Sequence, residues 1–331
     1  DQDGELYFTD YNGGRIMQIR SAGGGQDNVP DLLSASGCVD AGDITQPYSG
    51  LVPYDINVPF WSDGAAKERY IGIPDNTTIA IDGSDDWVFP PGTVLVKNFR
   101  LGGQLIETRH LMRHPDGVWA GYTYEWNQAQ TEATRVRIGK EVKIGGQDWI
   151  FPDEAECLRC HTNVATVALG PETAQINKDF TYPSTGRTAN QVATLDHIGL
   201  FSSPAGNPDN LPAMPDPADA SADIGERARA YLHSNCVSCH QPGGPTPVNL
   251  DLRYTILLAG TNACDVPPTG GGFGIMMPRI IAPGDASRSV LVRRMSIRGG
   301  AQGMPPLGSN VVDSEGVALI SDWINGLANC N

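Results

Sequence analysis

Two short stretches carry the chemistry that the chain of 331 residues spells out most directly. Cys157-Leu158-Arg159-Cys160-His161 and Cys236-Val237-Ser238-Cys239-His240 both read C-x-x-C-H. Two thiols at this spacing can add to the two vinyl groups of a haem, and the histidine that follows is then placed under the iron as its proximal ligand. Cys157, Cys160, Cys236 and Cys239 are therefore expected to carry two covalently bound haem c groups, with His161 and His240 as metal ligands. A four-thiolate zinc site is the competing use of two such cysteine pairs. The gap from Cys160 to Cys236 is several times the roughly 15–20 residues usual in a zinc ribbon, and zinc gives no reason for a histidine after both pairs.

Each iron has a second side. For the second motif the candidate is Met304, in Gly303-Met304-Pro305-Pro306, where a thioether on a proline-stiffened loop can sit over a haem with little entropy loss. A thioether is a soft ligand that favours ferrous iron and raises the potential. Met276, Met277 and Met295 compete for that role. Arg253 and Tyr254 are candidates to contact the propionates; a solvated arginine and a core tyrosine are their ordinary alternatives. For the first motif the choice stays open. His197 lies in an apparently helical stretch and Met214 in a proline-rich one. His110, Met112 and His114 alternate along a strand and so face one way. An open, five-coordinate iron is the remaining option. His233 reads as a surface residue.

These groups need elements to position them. Residues 1–20 read as a hairpin whose turn is Tyr11-Asn12-Gly13-Gly14, followed by a Gly-rich linker, so 1–25 stand apart. Residues 26–151 read as an antiparallel β-rich domain, a small sandwich or barrel packing Tyr122, Tyr124 and Trp126. The first-haem segment, 152–219, is short and helical and ends in the prolines of 203–219. In 220–331, Asp223 can cap a helix leading into Cys236, and Asp313 a final helix with the apolar stripe Val317, Ile320, Ile324 and Leu327. The expected fold is thus α+β, with an all-α C-terminal domain of the class I cytochrome c plan. Asp82, Asp85 and Asp86 form an acidic turn that could hold calcium.

A net charge of −15 makes nucleic acid and anionic membranes poor partners and a basic redox protein a better one. No apolar run is long enough to span a bilayer. The opening at Asp1 in charged sequence suits a mature or trimmed chain. Covalent haem attachment and the remaining cysteines, Cys38, Cys264 and Cys330, point to an oxidising, periplasmic or extracellular compartment. Cys264 with Cys330 is the favoured disulfide, leaving Cys38 buried and inert.

Several stretches resemble known families. Gly4-Glu5-Leu6-Tyr7-Phe8 and Asp10 through Ile16 are similar to the last blade of β-propellers in the quinoprotein glucose and sorbosone dehydrogenase class. Residues Asn57 to Lys67, Phe89 to Lys97, Glu107-Thr108-Arg109, Tyr122 to Trp126, Asn235 to His240 and Met304 to Gly308 together resemble a family of bacterial dihaem c-type cytochromes. Met-Pro before a terminal helix is where class I cytochromes carry their methionine ligand. Similarity to those domains also implies that a backbone carbonyl within Pro242–Pro247 fixes the His240 ring. The resemblance implies electron transfer between a dehydrogenase, fused or separate, and a soluble cytochrome or oxidase. A peroxidase- or oxidase-like enzyme at an open first haem, with His110 or His114 as acid–base group, and a module that stacks haems between chains are the alternatives.

Overall fold

The computed structural model describes residues 6–10, 15–19, 29–83, 86–300 and 302–330. The chain divides into two units, residues 1–31 and 32–331. In the first, strands β1 (Leu6–Asp10) and β2 (Arg15–Ile19) pair antiparallel, Asp10 opposite Arg15. The Asn12-Gly13 turn and the Gly-rich linker lie outside the described residues.

The second unit begins with β3 (Val52–Tyr54), β4 (Ala66–Gly72), β5 (Ala80–Ile81) and β6 (Trp87–Val88). Next come β7 (Val94–Leu101), β8 (Gln104–Arg113), β9 (Trp119–Trp126), β10 (Ala133–Arg135), β11 (Lys140–Ile144) and β12 (Gln147–Phe151). Six of them make one open antiparallel sheet in the order β10-β9-β8-β7-β4-β3, while β5–β6 and β11–β12 are separate pairs. The strands of 26–151 therefore build an open sheet in place of a closed barrel.

Register decides what each face carries. Thr123, Arg109, Lys97, Arg69 and Tyr54 stand opposite one another across β9, β8, β7, β4 and β3. Gly121, Leu111, Leu95, Ile71 and Val52 form the next row on the same face. Leu111, Leu95 and Ile71 pack with Val167, Ala168, Ile176 and Leu195, so this face lies beneath the first-motif segment. The alternation that puts odd-numbered β8 residues there puts His110 and Met112 on the other side.

After the sheet come α1 (Glu154–Cys157), α2 (Thr173–Ile176), a hairpin of β13 (Asp179–Tyr182) and β14 (Arg187–Asn190), and α3 (Gln191–His197). Residues 220–331 hold α4 (Ile224–Cys236), α5 (Val290–Met295) and α6 (Ser314–Gly326). Asp223 and Asp313 cap α4 and α6 as expected. The two helices meet where Gly316 passes the Tyr231 ring; a Cβ on Gly316 would stand 2.4 Å from the phenol oxygen.

The all-α class I cytochrome c domain is not what forms. The helices of 220–331 span 13, 6 and 13 residues, and turns, isolated bridges and short 3-10 turns fill the remainder within a unit that also contains the sheet. The cause is in the sequence between α4 and α5. Pro242, Pro245, Pro247, Pro267, Pro268, Pro278 and Pro283, with a glycine run at 270–272, remove amide donors and favour turns. A disulfide joins Cys264 to Cys330 and ties this loop region to the chain after α6. Cys38 is free and buried, and burial pushes its thiol pKa up. Among the described residues no helix is long and apolar enough to cross a membrane.

Candidate functional site

The first motif is launched by a capping box. Asp153 accepts from the Glu156 amide (3.0 Å) and Glu156 from the Asp153 amide (3.1 Å), which sets the single turn α1 that delivers Cys157. The His161 amide then bonds the Cys157 carbonyl at 3.0 Å. The His161 ring donates from Nδ1 to the Val167 carbonyl at 2.6 Å, which leaves Nε2 free to ligate. Presenting that carbonyl requires Thr166 and Val167 to adopt left-handed backbone, φ +56° and +62°. For a β-branched pair this is strain, of the kind held at functional sites by the surrounding structure. Burial, with the nearby Lys97 charge, lowers the His161 pKa to about 4, so the ring is neutral. The motif lies directly on the sheet: a Cβ on Gly121 would meet Cys157 Cβ at 2.7 Å and Sγ at 2.8 Å.

The second motif closes α4. The His240 amide bonds the Cys236 carbonyl at 2.9 Å, and the His240 carbonyl accepts from the Leu252 amide at 3.0 Å. Cys236, Cys239, His240 and Met304 all line one cavity of about 350 Å³. Its walls are largely apolar, with Leu250, Ile280, Leu291 and Val317 among them. The His240 Nδ1 is buried without a hydrogen-bond partner, so the expected carbonyl from Pro242–Pro247 is not supplied. That loop instead folds on Gly244, where a Cβ would stand 2.4 Å from the Cys239 carbonyl oxygen. Cys160 also lines this cavity, with its thiol beside that of Cys239. The two motifs are neighbours, and this contact lowers the Cys239 pKa.

The Met304 segment is braced from three sides. The Met304 amide bonds the Arg294 carbonyl at 3.0 Å. Arg298 donates to the Met304 carbonyl (3.0 Å), the Val311 carbonyl (3.1 Å) and Ser309 Oγ (3.1 Å). Asp63, 4% exposed, accepts from Ser309 Oγ at 2.6 Å, Asn310 N at 2.8 Å and Val311 N at 3.0 Å. Its loop reaches further. Trp61 N donates to Asn235 Oδ1 at 2.8 Å, and Trp61 Nε1 donates to the Val311 carbonyl at 2.8 Å. Asn57 donates to the Ala174 carbonyl and Ser234 Oγ to the Val58 carbonyl. Residues 57–63 thus bond α2, the helix into the second motif and the segment after Met304. Sequence reasoning gave this loop no structural role.

Other expected site residues are engaged elsewhere. Arg253 forms two bonds to Asp251 (2.9 and 2.6 Å), and Tyr254 donates to Glu226 at 2.6 Å; neither lines the cavity. Arg294 and Arg298 line it instead, and their place within ten residues of Met304 was the available signal. His110 packs against Tyr124 with the rings tilted by 53°, across the sheet from the first motif, and His114 bonds the Tyr122 hydroxyl at 2.8 Å. His197 is exposed at the end of α3. Met214 is buried among Val58, Ala174 and Ala230. His233 bonds Glu172 through Nε2 (2.8 Å) and accepts the Tyr254 amide at Nδ1 (3.1 Å), so it is pinned between elements. Among the described residues no three His, Cys, Asp or Glu side chains converge as a metal site. Asp85 lies outside the described residues.

Comparison with protein-family models, with curated proteins and with solved structures gives no match.

Proposed function

We propose that the chain is a dihaem c-type cytochrome that relays electrons between a dehydrogenase and a downstream acceptor outside the cytoplasm. The observation that carries this reading is the convergence of Cys236, Cys239, His240 and Met304 on one apolar cavity from α4 and a loop far along the chain. A haem held there supplies a one-electron couple. The residues fit it: two thiols at vinyl spacing, an imidazole lining the same cavity, and a thioether on a braced loop. At the first motif, Val167 fixes the His161 ring with its free nitrogen outward. The closeness of Cys160 and Cys239 supports this reading, because passage between two haems requires attachment sites side by side.

The haem-enzyme alternative draws less support, because His110 and His114 are committed on the opposite side of the sheet or to Tyr122. With a net charge of −15, transfer to a basic partner is expected to slow as salt is raised. The test is the mass of the denatured protein from a host that matures c-type cytochromes. Two haems above the polypeptide mass are expected; the bare polypeptide mass refutes the reading. In the reduced protein, Met304→Ala is expected to create carbon monoxide binding at the second haem that the parent lacks.

A further inference from the structure

Charge is spread unevenly along the chain. Residues 264–312 hold five arginines, no lysine and two aspartates, whereas the remainder holds 18 basic and 36 acidic residues. A cationic segment thus interrupts a chain whose net charge is −15. The same segment forms one wall of the second-motif cavity, which Pro268, Thr269, Gly270, Arg294 and Met304 line. Two of its arginines are paired, Arg279 with Asp265 at 2.8 Å and Arg288 with Asp285 at 3.8 Å. Arg293, Arg294 and Arg298 have no carboxylate within ion-pair distance among the described residues, and Arg293 is exposed.

Arg294 joins this charge to an apolar loop. It donates to the Gly270 carbonyl at 3.1 Å and to the Gln302 carbonyl at 3.2 Å, and its guanidinium lies 5.1 Å from the centre of the Phe273 ring. The loop of residues 268–277 is thereby held at the cavity wall. Beyond this clamp, Met276 is 80% and Met277 62% exposed. Phe273 and Met277 both take left-handed backbone, φ +55° and +49°, a strain that the surrounding structure must hold in place. One exposed apolar side chain is ordinary, but adjacent flexible thioethers are what adaptable protein-binding surfaces use. An apolar pair beside unpaired arginines complements a protein face with an apolar centre and a rim of carboxylates. An anionic bilayer is the poorer complement, because the rest of the chain has twice as many acids as bases and is repelled over the wider contact.

We infer that the 268–277 loop and the arginines beside it dock an acidic redox protein against the second-motif cavity. This rests on the dihaem reading above and separates its two partners: a basic one drawn by the rest of the chain, and an acidic one at this wall. Transfer moves one electron from the reduced protein to the oxidised partner, with no bond made or broken and no proton moved.

The test uses the full chain from a haem-attaching host, with an acidic blue-copper protein as the macromolecular probe. Denatured mass first counts the haems. A bare polypeptide refutes the dihaem reading, whereas binding of the copper protein is titrated with or without haem, so the two fail separately. At low salt the affinity is expected to fall about tenfold in Arg293→Glu and about threefold in the double variant Met276→Gln, Met277→Gln. Lys143→Glu, at an exposed cation on β11, should leave it in place. In the haem-loaded protein, hexacyanoferrate(III) reads the same wall as a small anion that takes one electron and becomes hexacyanoferrate(II). Its rate with the reduced parent is expected to fall as salt is raised, although the net charge alone predicts a rise. A rate that rises with salt overturns the inference. An equal loss of affinity in Lys143→Glu also overturns it, since the effect would then be one of net charge. Sedimentation of the parent with anionic phospholipid vesicles overturns it too, by making the surface a lipid-binding one.

Discussion

Asp63 offers the sharpest perturbation. Its carboxylate is buried and accepts from two backbone amides and one hydroxyl of residues 309–311, and Arg298 ties the same residues to Met304. In Asp63→Ala the Asn310 and Val311 amides lose their acceptor, at roughly 1–3 kcal/mol each. Ser309 Oγ retains the Val311 carbonyl at 3.1 Å, so its loss is discounted. Asp63 also sits at φ +51°, where alanine adds about 1 kcal/mol of strain. The expected destabilisation is about 3–7 kcal/mol, a large fraction of the stability of an ordinary domain. Equilibrium urea unfolding measures it. Asp63→Gly, free of the backbone strain, separates the two contributions and should recover about 1 kcal/mol. The reduced Asp63→Ala protein should also bind carbon monoxide, because the brace on Met304 is gone. An Asp63→Ala protein that unfolds within about 0.5 kcal/mol of the parent and keeps its methionine-ligated spectrum refutes the reasoning.

Gly121→Ala pushes a methyl into Cys157, so the mass spectrum should reveal chains with one haem while the second motif still loads fully. Gly316→Ala forces apart α4 and α6 where Tyr231 donates to Asp313 at 2.9 Å; a loss of about 1–3 kcal/mol is expected in thermal unfolding. Burial holds His110 at a pKa of about 4 against 6.5 when unfolded, so the unfolded chain binds the extra proton first as pH falls. Stability should therefore be flat above pH 6.5 and decline between about 6.5 and 4, by roughly 3 kcal/mol from this group. His110→Phe should flatten that share of the pH profile, and an unchanged profile would reject the assignment.

The caps at Asp223 and Asp313 and the Cys264–Cys330 disulfide were legible because each is written in local residue types or simple pairing. The strands around Lys97 and His110 were legible from alternation, but alternation names two faces without saying which one meets the motif. Gly121, the residue that admits Cys157, settles it. The capping box at Asp153 and Glu156 was readable and passed over. The helical reading of 220–331 failed because two capped helices were taken to set the character of the whole segment, while the proline- and glycine-rich stretch between them folds as loop. The role of residues 57–63 was beyond local reading, since their partners lie 117 to 248 positions away.

That loop has a consequence for how such a protein can be divided. Residues 220–331 look like a cassette that evolution or an engineer might lift out and splice behind another enzyme. Cut free, the cassette would lose the aspartate that satisfies the amides of residues 310 and 311 and the indole that caps the Val311 carbonyl. The transplant would carry both thiols, the imidazole and the thioether, yet leave behind the clasp on the thioether strand. Here the second C-x-x-C-H stretch and Met304 keep their bracing only with the chain that precedes them.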